Sequence, residues 1–147
     1  MTANNLDSHI NHSALPSIDI KTTSDAAGTT TTAAVDLQDS SGCLWIFDLT
    51  DINTSGTVDS ITVQTDDNSG FSSAATATDG DGNNIAYTTQ ITATGIFMVR
   101  VDAKHCERYV RLAIVDATAN VAFAVASLPF GSQYKPNHDS TELILSA

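Results

Sequence analysis

Asp79, Asp81 and Asn83, in the run Asp79-Gly80-Asp81-Gly82-Asn83, are the residues of this sequence whose type and spacing come closest to doing chemistry. Oxygen side chains at alternate positions of a glycine-containing loop can converge on a hard cation such as calcium. The match is incomplete. An EF-hand loop begun at Asp79 needs a glycine and then a bidentate glutamate where this chain has Asn84 and Gln90. No helices are predicted on either side, so the run reads as a polar turn, and neither a metal nor any other cofactor is expected.

His105 beside Cys106 offers a base next to a thiol, but neighbours on a strand point to opposite faces and only a turn brings them together. The other histidines, His9, His12 and His138, lie near the two ends of the chain. His9 with His12 chelates a metal only on a helix, which the surrounding Asp, Ser and Asn residues disfavour. No Gly-x-Ser-x-Gly elbow, phosphate loop or dinucleotide fingerprint occurs, and the aspartates fall chiefly in turns, where their side chains bond the local backbone. With no nucleophile, base or metal set, the chain reads as a binding protein rather than an enzyme. Cys43 sits beside Leu44 and Trp45, and Cys106 in a polar run; the pair has no metal spacing and reads as free thiols, with a disulfide as the alternative.

Charge narrows the partners. Seventeen Asp and Glu residues stand against six Lys and Arg, for a net charge of −11, which excludes a phosphate-binding surface and hence nucleic acid. Four of the six cations nevertheless cluster: Arg100, Lys104, Arg108 and Arg111. They read either as a solvated strand face and turn that soften acidic repulsion, or as an interface meeting acidic groups on a neighbouring subunit. No run approaches the roughly 18–20 apolar residues of a membrane helix. The N-terminus lacks a basic stretch followed by an apolar one. A soluble chain made in the cytoplasm, with no membrane partner, is expected.

The elements that position these residues are strands. Thr, Ser, Asn and Asp dominate the polar residues, while the large apolar side chains gather in short clusters such as Leu44-Trp45-Ile46-Phe47 and Ile96-Phe97-Met98-Val99. Residues 1–32 form a weakly patterned polar arm, with one short strand possible through Ile18 and Ile20. Strands are expected at 33–37, 43–49, 57–65, 85–91, 96–101, 108–115 and 121–128. In the third of these, Val58, Ile61 and Val63 share no strict alternation, and a bulge near Asp59-Ser60 restores the register. Val110, Leu112 and Ile114 share one face; so do Val121, Phe123 and Val125, opposite alanines small enough to let another layer approach. Pro129 is expected to end regular pairing, leaving a tail over 132–147. The core is expected to rest on Trp45, Phe47, Phe97, Val110, Leu112 and Phe123. Seven or eight short strands with regular turns make an all-β antiparallel sandwich or jelly roll over 33–131.

Over roughly residues 33–136 the chain resembles the small capsid decoration, or cement, proteins of tailed phages. The resemblance rests on Ala34-Val35-Asp36-Leu37 followed by Cys43-Leu44-Trp45-Ile46-Phe47, and on Gly56-Thr57-Val58 leading to Val63-Gln64 and Gly70-Phe71. It continues in Arg108-Tyr109-Val110-Arg111-Leu112, then Val125 and Gly131. It implies a β-sandwich on the outside of an assembled icosahedral shell, commonly a homotrimer, reinforcing junctions between major capsid proteins. Arg100, Lys104, Arg108 and Arg111 become the expected contacts to capsid or subunit, and the virion surface the expected location. The competing reading is a head-fibre, tail or adsorption module that stacks host glycans on exposed Trp45, Phe71 or Tyr87.

Overall fold

The computed structural model describes residues 17–22, 26–52, 55–117 and 121–131. His9, His12, His138, the expected C-terminal tail and the first sixteen residues of the expected arm lie outside them. Apart from one short 3₁₀ turn at Ala103–His105, the regular structure of the described residues is all β, in two antiparallel sheets.

The first sheet holds β1 (Ser17–Lys21), β4 (Gly42–Ile52), β8 (Gly95–Asp102) and β10 (Val121–Phe130), in the order β1-β10-β4-β8. The second is centred on β5 (Val58–Asp66) paired with β9 (Tyr109–Asp116). Along β9 lie β2 (Gly28–Thr31) and β3 (Val35–Asp36); along β5 lie β6 (Ala75–Thr76) and β7 (Ala86–Tyr87). The first strand pairs with the last, β2 and β3 pair with β9, β4 with β8, and β5 with β6 and β7. A chain paired from its outside inward and divided between two sheets is a jelly roll, so the fold is an all-β sandwich of that type.

Alternation fills the space between the sheets. Cys43, Trp45, Phe47 and Leu49 of β4, with Val121, Phe123 and Val125 of β10, face Val58, Ile61 and Val63 of β5 and Val110, Leu112 and Ile114 of β9. Each large side chain taken fully out of water contributes about 1.5–3 kcal/mol. The Phe123 and Phe47 rings meet at 5.0 Å. Phe97 differs from expectation: it is half-buried at the margin of the core, 5.9 Å from Phe47. The Trp45 indole nitrogen and the Ser127 hydroxyl, on cross-strand partners, are buried with no hydrogen-bond partner among the described residues.

The expected bulge is present. Val58 pairs with Asp116 and Ser60 with Val115, and the extra residue lets Val58, Ile61 and Val63 all point inward. Three expectations need correction. Residues 28–31, read as part of a polar arm, are a strand of the second sheet, and the short strand expected through Ile18 and Ile20 is not on a free arm but paired into the first; their hold is mostly backbone pairing supplemented by polar groups. Lys21 lies buried 3.5 Å from Asp116, the Asp19 carboxylate accepts the Ala33 N–H, and the Thr32 hydroxyl accepts the Leu112 N–H. The expected strand 85–91 is reduced to Ala86–Tyr87 and a bridge from Ile91 to Val58. Pro129 does not end pairing but sits opposite Cys43 within β10. Among the described residues β1 pairs with β10 only as far as Ser127, and Pro129 pairs with β4 alone.

Candidate interaction surface

All four clustered cations fall at one end of the sandwich, because β8 runs into it, the 3₁₀ turn crosses between sheets, and β9 runs out. They do not share one face. Arg100 points outward from the four-stranded sheet, Arg111 outward from the other sheet, and Lys104 and Arg108 sit on the connection between them.

Each arginine is already held in place. The Arg108 guanidinium donates to both Asp36 carboxylate oxygens, Nη2 at 2.8 Å and Nε at 3.1 and 3.3 Å, and lies 5.0 Å from the Tyr109 ring centroid. That hydrogen bonding holds the Asp36 carboxyl below its ordinary pKa and raises that of Arg108. Arg111 stacks 4.1 Å over Phe71 while its Nε donates to Gln64 at 2.8 Å. Arg100 lies 4.7 Å over the Phe130 ring with Nη2 3.6 Å from Asp102. A guanidinium fixed on an aromatic ring loses little further freedom when it meets a partner carboxylate. The opposite end carries Asp48, Asp51 and the buried pair of Lys21 with Asp116, whose carboxyl is pushed up by burial against the opposing pull of Lys21.

The other chemistry-bearing residues are turned inward or engaged locally. The Asp79 carboxylate accepts from the Asn83 side chain and from the backbone N–H groups of Asp81 and Asn83, which closes the loop on itself and lowers its pKa. The His105 ring packs against Gly80. Burial, then the Asp102 and Glu107 carboxylates, push the Cys106 thiol up to about 12; burial also raises Cys43. Both thiols are free, and the shift is opposite to that of an activated nucleophile. Among the described residues no three His, Cys, Asp or Glu side chains are grouped to hold a metal. No helix among them is long and apolar enough to cross a membrane.

The aromatics proposed for glycan stacking are unsuited to it. Trp45 is wholly inside, Phe71 is buried beneath Arg111, and Tyr87 is half-buried against the core. The sequence reading missed a different surface, the outer face of the four-stranded sheet. There Ile18 and Ile20 are each 71 % exposed and Ile96 is 54 % exposed, around half-buried Leu44, Ile46, Met98 and Leu128. Its signal was the apolar residues on both alternations of β4, Leu44 and Ile46 as well as Trp45 and Phe47.

Fold and surface together define an all-β jelly-roll domain whose clustered cations lie at one end and whose four-stranded sheet carries exposed apolar residues on its outer face. The chain matches no protein-family model and no curated protein.

Proposed function

We propose that this protein is a virion structural component that binds the outside of an assembled capsid shell and stabilises contacts between major capsid proteins. The observation that carries the reading is the stacked and paired arginine end, Arg108 and Arg111 above all, in a chain of net charge −11. Such a chain stays soluble by self-repulsion and meets a partner through the few fixed cations it presents. The jelly roll supports the reading at the level of architecture, since the fold recurs in capsid proteins, although a fold alone assigns no function. Several copies bound together add their contacts, which gives a small domain enough area to stay attached.

Co-sedimentation with tail-free shells that lack this protein tests the proposal. The native chain is expected to pellet with the shells, and the Arg108→Ala/Arg111→Ala variant to pellet less while its melting temperature stays within a few degrees of native. Native protein that remains in the supernatant at all salt concentrations contradicts the reading.

A further inference from the structure

β1 forms an edge of the four-stranded sheet with its alternation reversed. Its apolar residues, Ile18 and Ile20, are exposed, while the inward positions hold Ser17, Asp19 and Lys21 opposite Ser127, Val125 and Phe123. Docking this strand therefore buries almost no apolar side chain, and the ladder to β10 carries most of the attachment. The polar groups at its inward positions are poorly matched. Of the six buried side-chain atoms with no hydrogen-bond partner among the described residues, five lie here: the Ser17 and Ser127 hydroxyls and the Trp45 indole nitrogen, in one cross-strand row, and both oxygens of Asp116. The Lys21 ammonium stands 3.5 Å from Asp116, longer than an ordinary hydrogen bond, and donates to the Ala26 carbonyl oxygen. The bond from the Ala33 N–H to Asp19 is exposed, where water can replace it. Undocking returns Ser17, Lys21 and Asp116 to water, and their hydration offsets much of the lost ladder.

We infer that β1 undocks as a unit while the rest of the sandwich stays folded, and that the β10 edge beneath it is an acceptor site for an extended peptide bearing a cation at the position of Lys21. The present occupant defines what the edge takes. The β10 backbone groups on that side need an antiparallel strand, and an extended peptide from outside supplies the same ladder. Asp116, on β9 of the facing sheet, adds the selection: its carboxylate is buried, and a strand that brings no positive charge leaves it uncompensated. The ladder thus gives affinity that ignores sequence, and Asp116 reads one side chain. This site lies at the end opposite Arg108 and Arg111, so the inference does not rest on capsid binding.

Amide hydrogen exchange of the full chain, read residue by residue by NMR, tests the release. Alternate amides of β10 face β1 and those between them face β4, so the strand carries its own control. The amides facing β1 are expected to exchange at least tenfold faster than those facing β4, with little dependence on urea. Equal protection of the two sets means that β1 leaves only when the whole domain unfolds, and overturns the release. The acceptor site is tested on Lys21→Met, whose tethered strand has lost its cation. A synthetic peptide of residues 16–22, in excess, is expected to slow exchange of the β1-facing amides and to raise the melting temperature. The same peptide with Lys21→Met is expected to do neither. On the native chain, where the tethered strand competes, the peptide carrying a spin label is expected to broaden the same β10 amides at higher excess, so the test does not hinge on the variant's folding. A peptide that binds neither chain, or a Met peptide that binds as well as the Lys peptide, overturns the acceptor site.

Discussion

Replacing Phe123 by Ala removes the ring at the centre of the sandwich. Phe123 is 1 % exposed, lies on β10 between β1 and β4, and meets Phe47 at 5.0 Å. Loss of a buried phenyl with partial collapse of the site costs about 3–5 kcal/mol. An edge or tilted aromatic contact accounts for about 0.5–1.5 kcal/mol beyond area burial. Against a total stability of about 5–15 kcal/mol, this lowers the melting temperature by on the order of 10–20 °C. Phe97 is the internal control. It is half-buried with its ring 5.9 Å from Phe47, so Phe97→Ala is expected to cost about half as much or less. Thermal melts followed by circular dichroism, together with urea titrations, give both values. Equal losses for the two variants, or no loss for Phe123→Ala, refute the assignment of inner and outer faces.

Lys21→Met leaves the buried Asp116 carboxylate without its cation and is expected to destabilise by about 3–5 kcal/mol; adding Asp116→Leu should recover most of that loss in a double-mutant cycle of melts. The Asp66 carboxylate accepts the backbone N–H groups of Asn68 and Ser73, which lowers its pKa, Asn68 contributing most. A lowered folded-state pKa gives stability that is present above the unfolded carboxylate value and lost as pH falls through the folded one. Acid melts of Asp66→Asn should therefore show a flatter decline over that window than the native chain; an unchanged decline removes Asp66 from the acid response. Chelator is expected to leave the melting temperature unmoved, because Asp79 is satisfied by its own loop; a drop reversed by calcium reassigns Asp79 to Asn83 as ligands.

The strands whose two faces differ were legible in the sequence. Val110, Leu112 and Ile114 against Arg111, and Val121, Phe123 and Val125 against alanine, announce their inward sides by period alone. The broken alternation at Val58 and Ile61 was legible too, since only a bulge buries both. The short strand through Ile18 and Ile20 was legible by its alternation, but its sheet partner and the strand at 28–31 were not. The place of both strands in the sheets depends on partners far along the chain, Phe123 to Ser127 and Ala113 to Asp116, and on a buried Lys21 that local pattern marks as exposed. The cationic group was visible as a cluster in sequence, but its division between two outer faces follows from the β8 to β9 crossover. The apolar outer sheet was hidden because Leu44 and Ile46 read as core when Trp45 and Phe47 beside them are core.

The most direct test of the proposed capsid binding is a reconstruction of tailed-phage capsid shells imaged with and without the protein. Added density is expected on the outside of the shell, fitted by the jelly roll with the end bearing Arg108 and Arg111 against the major capsid protein. Shells that look identical with and without the protein, or density confined to the tail, contradict it.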